Sequence, residues 1–230
     1  MKTIGIVGGL SPESTILYYK YIVEEYRRRS GNEYYPKIVI YSVCFGKFID
    51  LISSNKLDEA IELLLEAIEA LYRAGADFAL ISANTPHMLF DKLKSKSPIP
   101  LLSIIDALAD ELKKDGVKKV GLLGTRFTLT HGFYAEGLKK HGIESLIPDS
   151  HDIGVVNNII FNELVRGIVR EESRRVLEDL VCRLVARGAE GIALACTELP
   201  LILHGTICGV KLYDTARIHA TKALEYAMSD

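Results

Sequence analysis

The sequence predicts an α/β protein built from two similar parallel-sheet α/β domains related by pseudo-two-fold symmetry. Three observations carry that expectation. Short apolar runs lack the strict alternation of half-buried strands, so they read as strands covered on both faces. Between them lie longer stretches whose apolar residues recur at helical spacing. The chain also resembles itself: Gly75-Ala-Asp-Phe-Ala-Leu-Ile-Ser-Ala83 matches Gly188-Ala-Glu-Gly-Ile-Ala-Leu-Ala-Cys196, and Gly5-Ile-Val-Gly8 matches Gly121-Leu-Leu-Gly124 at nearly the same spacing. The expected division is 1–100 plus 210–230 for the first domain and 101–209 for the second. Each half is expected to present its strand C-termini to a shared cleft, where open α/β sheets bind ligands.

In chain order, Thr3–Val7 reads as a buried strand. Ser11 is a good N-cap with Pro12 in the first turn, and Ile16, Tyr19, Val23 and Tyr26 follow at helical spacing. Lys37–Val43 is the next strand. Leu57–Arg73 is a strong helix, with Ile61, Leu64, Leu65, Ile68 and Leu71 on one face and Gly75 ending it. Phe78–Ile81 is a third strand, followed by a helix from about Pro86. Pro98-Ile-Pro100 breaks the pattern before a helix over Ile104–Lys114. Val120–Leu123, Ser145–Ile147 and Ile192–Ala195 read as strands, separated by helices near His131–His141, Val155–Val169 and Ser173–Arg187.

Composition narrows the function. The 28 Lys+Arg against 30 Asp+Glu give a net charge of −2, too little positive charge to hold a polyanion, so nucleic acid is not an expected partner. No secretory leader pattern and no apolar run long enough for a bilayer are present, so a cytoplasmic protein without a membrane partner is expected. The four cysteines form no Cys-x-x-Cys pair. Thiols are therefore expected rather than disulfides, with Cys44, Cys182 and Cys208 as packing. His131, His141, His151 and His204 have no metal-ligand spacing, so no metal is expected.

Three strand-to-helix junctions hold the polar residues. Gly8-Gly9-Leu10-Ser11-Pro12-Glu13-Ser14-Thr15 is neither a Walker loop nor a dinucleotide fingerprint, but its glycines free backbone N–H groups beside a helix start. The others are Ser82-Ala83-Asn84-Thr85-Pro86-His87 and Ala195-Cys196-Thr197-Glu198-Leu199-Pro200. Taken alone, a cysteine after an apolar run is more often packing than chemistry. At a strand tip near a helix N-terminus, however, Cys196 has two reasons for a lowered pKa: the helix dipole and nearby N–H donors.

These motifs in order, with Gly124-Thr-Arg-Phe-Thr128 and Asp214-Thr-Ala-Arg-Ile-His219, resemble the aspartate/glutamate racemase superfamily, nearest its aspartate and broad-specificity amino-acid branch. The resemblance implies two similar α/β domains around a cleft, a homodimer, and racemisation of a small amino acid or related carboxylate without pyridoxal phosphate or metal. In that chemistry one side chain takes the Cα proton and a second, on the opposite face, returns one. Both are usually cysteines, which titrate near ~8.5 and can be tuned.

The resemblance places the second cysteine at Cys196 and the first at Ala83, which cannot transfer a proton. Thr197 is expected to hydrogen-bond the Cys196 thiolate. Asn84 and Thr85 are expected to bind the substrate carboxylate, with donors from Gly9 and Ser11, although as a pair they also read as a helix cap. His87 either orients a base or caps. Glu198 reads as a dipole partner beside the substrate. Arg126 and Thr128 are expected to close the cleft, and Asp214 and His219 to hold the returning chain. The basic residues of aspartate-specific relatives align with Phe48 and Val165, while Lys47 and Arg166 are adjacent, so a second substrate carboxylate is not implied. Three functions remain open: a racemase in which Thr85, His87, Ser11 or a water serves the other face; a one-thiol enzyme of decarboxylase or isomerase type; and a catalytically weak carboxylate-binding homologue.

Overall fold

The computed structural model describes residues 1–229 and forms two compact units: Met1–Ile104 joined by the chain from Ala216 onward, and Ile105–Thr215. Both have sheets dominated by parallel strands.

The first unit runs β1 (Ile4–Gly8), α1 (Pro12–Ser30), β2 (Ile38–Ser42), α2 (Phe45–Ser53), α3 (Leu57–Arg73), β3 (Phe78–Ile81), a 3-10 turn at Thr85–Leu89, α4 (Phe90–Lys96) and β4 (Leu101–Leu102). Its sheet order is β2-β1-β3-β4, all parallel. Every residue of β1 and β3 is buried, which is why these strands read as continuous apolar runs. The register sets Gly8 beside Ser42, and Val7 beside Ile81, so the residues after all three strands emerge along one edge.

The second unit runs α5 (Ile104–Lys114), β5 (Lys119–Gly124), α6 (Arg126–Thr130), α7 (Phe133–Lys140), β6 (Glu144–Leu146), α8 (Ser150–Asn162), a 3-10 turn at Leu164–Arg166, α9 (Glu171–Ala186), β7 (Gly191–Ala195), a 3-10 turn at Leu199–Leu201, β8 (Thr206–Ile207) and β9 (Val210–Asp214). The order is β6-β5-β7-β9-β8, parallel except for the final β8–β9 hairpin. Helix α10 (Thr215–Met228) returns the chain to the first unit.

Several elements differ from the sequence expectation. Helix α1 buries Tyr18, Tyr21, Ile22 and Tyr26, whereas Ile16 and Tyr19 are exposed. The helix is apolar on more than one side, so spacing alone could not choose its core face. Helix α2 was not anticipated, and Phe48 is part of the core. The helix expected near His131–His141 forms over Phe133–Lys140, starting after Gly132 at φ +75°, and the short α6 before it is additional.

Cys182 of α9 and Cys208 of the β8–β9 turn form a disulfide, correcting the expectation of free thiols. The fold brings their Cα atoms to 5.5 Å, inside the bridging range, although 26 residues separate them in sequence. Cys44 and Cys196 are free. No helix among the described residues is long and apolar enough to cross a membrane.

In the first unit, His219 of α10 is fully buried. Its Nε2 lies 3.1 Å from the Leu102 carbonyl and its Nδ1 2.9 Å from the Tyr18 hydroxyl. A carbonyl only accepts, so Nε2 carries the proton and Nδ1 accepts from Tyr18. Burial, aided by His87, lowers the His219 pKa to about 3. The unfolded chain gains this proton near pH 6.5; the folded chain does not until about pH 3. Stability is therefore fully present above pH 6.5 and falls through that window, by up to about 1.4 kcal/mol per pH unit from this group. In urea titrations at pH 7, 5 and 4, His219→Gln is expected to lower the neutral midpoint but flatten the acid decline. Equal decline in both proteins would remove His219 from the acid response.

Candidate active site

Cys196 follows the last residue of β7 and is 7% exposed, packed within a core cluster that includes Leu194, Leu199 and Ile202. Neighbouring β5 fixes the height of this tip: Gly124 pairs with Ala195, and a Cβ on Gly124 would lie 2.9 Å from the Ala195 carbonyl. Thr215 Oγ1 donates to the Leu194 carbonyl at 2.8 Å from the β9 side.

The Cys196 Sγ–H donates to Glu198 Oε2 at 3.0 Å, and Thr197 Oγ1 donates to the same oxygen at 2.9 Å. All three residues are buried. Thr197 thus holds the carboxylate rather than the sulfur, and Glu198 is the thiol's acceptor rather than only a partner for the helix dipole. Burial first, then the Glu198 charge and hydrogen bond, push the Cys196 thiol well above its ordinary range. The amide donors of Glu198 and Leu199 pull it down, but less strongly. The expected lowering is therefore overturned: loss of water and an adjacent carboxylate outweigh the donors that sequence position suggested.

This pair gives a signed prediction. Glu198→Gln removes the negative charge but keeps a polar group of the same shape. At fixed pH, alkylation of Cys196 by iodoacetamide is expected to become faster, with its pH midpoint displaced downward. An upward displacement would contradict the assigned electrostatics. Exposed Cys44 serves as the internal reference.

In the first unit, Gly9 adopts φ +82°, and a Cβ there would collide with the Val43 carbonyl. Only glycine suits that close approach between the β1 and β2 tips. The Gly9 amide donates to Thr15 Oγ1 at 2.8 Å, and Thr15 Oγ1 donates to the Ser11 carbonyl at 3.1 Å. Ser82 Oγ lies 3.3 Å from Thr15 Oγ1 and donates to the Val7 carbonyl. Thr15 and Ser82 were not singled out as structural by the sequence; their signal is only their position inside the two polar junctions. Ser11 Oγ caps α1 by accepting the Ser14 amide.

Ala83 and Asn84 are buried after β3, and Thr85 is half-buried. The Asn84 side chain does not cap the following turn. His87 is 4% exposed, and both ring nitrogens engage the backbone: Nδ1 at 2.9 Å from the Ala83 carbonyl and Nε2 at 3.1 Å from the Ile104 amide. With both positions committed, His87 is not free to carry a substrate proton, which removes one of the four groups considered for the second face. Arg126 is exposed, its amide donating to Asn157 Oδ1 at 2.9 Å. Thr128 is buried, its amide donating to Thr125 Oγ1, the cap of α6. Lys47, Val165 and Arg166 are exposed.

A family model described as Asp/Glu/Hydantoin racemase matches residues 7–223. The chain belongs to that family. It is 24% identical over 219 residues to the broad specificity amino-acid racemase RacX of Bacillus subtilis, covering 93% of this chain and 92% of that protein. Among solved structures, an aspartate racemase homologue from Pyrococcus horikoshii is 39% identical, with a TM-score of 0.90 and full coverage of both chains. The aspartate racemase of Picrophilus torridus is 23% identical, with a TM-score of 0.75, covering 99% of this chain and 94% of that one; it shares the fold. No group of three His, Cys, Asp or Glu side chains among the described residues is arranged to hold a metal ion.

Proposed function

We propose that this family member is an amino-acid racemase working without pyridoxal phosphate or metal, in which Cys196 gives and takes the Cα proton of a small amino acid or related carboxylate. The observation that carries the reading is the buried Cys196–Glu198 pair at the β7 tip, with Thr197 holding the carboxylate. A thiol that donates to a carboxylate can return a proton to a carbanion; once that thiol has lost its own proton, the thiolate can remove one. Asn84, Thr85, Gly9 and Ser11 are assigned to the substrate carboxylate, where donors stabilise the enediolate-like charge that builds as Cα loses its proton. Arg126 and Thr128 are assigned to enclosing the substrate. A homodimer in the cytoplasm belongs to the same reading.

A second reading is favoured by Ala83, which offers no proton at the β3 tip. Here one thiol serves one face of the carbanion, as in a decarboxylase- or isomerase-type reaction. The deciding experiment incubates the protein with single enantiomers of an amino-acid panel in deuterium oxide. Racemisation requires deuterium at Cα together with decay of optical rotation. Deuterium with retained configuration selects the one-thiol reading. Carboxylate-dependent thermal stabilisation without exchange selects a binding protein.

A further inference from the structure

We propose that His87, fixed as the neutral Nδ1–H tautomer, is the positioning residue for the Ala83–Thr85 loop and ties that loop to the end of the first unit at Ile104. This rests on the carboxylate-binding role proposed above for Asn84 and Thr85.

Obligatory donor and acceptor roles determine the tautomer. The Ala83 carbonyl can only accept, so His87 Nδ1 bears the hydrogen and donates across 2.9 Å. The Ile104 amide can only donate, so Nε2 bears the lone pair and accepts across 3.1 Å. A protonated ring, or the other tautomer, would set two donors or two acceptors against each other. The ring is held flat by stacking on Phe90, with centroids 5.2 Å apart, and meets His219 edge-on at 5.8 Å.

The Ala83 carbonyl belongs to the peptide whose other end is the Asn84 amide. Fixing the direction of that carbonyl fixes the opposite direction of the Asn84 N–H. The His87 amide also donates to the Asn84 carbonyl at 3.0 Å, so one residue holds the peptides on both sides of Asn84. Across the ring, the Ile104 amide follows Leu102, whose carbonyl His219 holds.

Two substitutions separate the two bonds. In His87→Asn the side-chain amide nitrogen falls near the place of Nδ1 and retains the donor to Ala83, but loses the acceptor for Ile104. In His87→Gln the amide reaches the place of Nε2 and can accept from Ile104, but leaves the Ala83 carbonyl without its donor. Hydrogen exchange of the Asn84, Thr85 and Ile104 amides needs no ligand. H87Q is expected to accelerate exchange at Asn84 and Thr85 by roughly tenfold, the scale of one buried hydrogen bond, with Ile104 little changed. H87N is expected to reverse the pattern. With an amino acid that wild type exchanges at Cα, H87Q is expected to raise KM more than it lowers kcat, and H87N to recover most of the loss.

Identical exchange patterns in the two variants would overturn the proposal. So would nitrogen-15 spectra of the wild-type protein showing Nε2 protonated, a measurement that stands even if either variant fails to fold. If wild type exchanges no amino acid at Cα while the amide patterns hold, the positioning role stands and the racemase reading fails.

Discussion

Cys196→Ser is expected to eliminate deuterium incorporation at Cα, with a fall of roughly 10²–10⁴-fold, the usual contribution of a positioned acid or base. Serine retains a hydroxyl that can donate to Glu198, so the local hydrogen-bond pattern survives in the variant. What changes is acidity: an alcohol is far less willing than a thiol to yield its proton at neutral pH. The substitution therefore isolates proton transfer from packing. The Cys196 site is buried and its thiol is pushed upward by burial and Glu198, so wild-type exchange is also expected to rise with pH as the thiol–carboxylate pair loses its proton. Measured by mass spectrometry of the recovered amino acid, undiminished exchange in a folded C196S protein would remove the sulfur from the chemistry. A rate independent of pH from 6 to 9 would remove the Cys196–Glu198 pair from the rate-limiting step.

The parts of this architecture that were legible in the sequence are those where local pattern and tertiary demand agree. β1, β3 and β7 are buried throughout, so their apolar runs admit no competing reading. Leu57–Arg73 has one dominant apolar face, and Ile61, Leu64, Ile68 and Leu71 all enter the core. Helix α1 shows the opposite case. Its tyrosines and isoleucines lie on several sides, and only the surrounding packing selects Tyr18 and Ile22 over Ile16 and Tyr19. The Cys182–Cys208 bridge was illegible because it depends on where the β8–β9 turn lands on α9. The candidate site was legible as residue types at strand tips, but not as a charge distribution. Thr197 and Glu198 stand in the sequence beside Cys196, yet the direction of their hydrogen bonds decides whether the thiol is stabilised with or without its proton. That direction is tertiary information.

Ala83→Cys is expected to convert one-sided proton exchange into faster racemisation. If wild type exchanges Cα hydrogen with retained configuration, a second thiol adds the donor needed to protonate the opposite face of the planar carbanion. Decay of optical rotation would then approach the rate of deuterium incorporation. The gain has the same roughly 10²–10⁴-fold ceiling as other positioned proton donors. It is opposed by overpacking, because Ala83 is 7% exposed and a sulfur must enter a confined space at a cost of about 1–3 kcal/mol. Thermal midpoints measured beside the rates separate these effects. A folded A83C protein whose racemisation stays at the wild-type level would show that position 83 does not address the opposite face. Fast racemisation already present in wild type would assign that face to Ser11, Thr85 or a bound water, since both nitrogens of His87 are committed to backbone partners. Adding Cys196→Ser to Ala83→Cys completes the argument: if two sulfurs work in sequence on opposite faces, the new thiol has little effect once its counterpart is gone, and the two substitutions depart strongly from additivity.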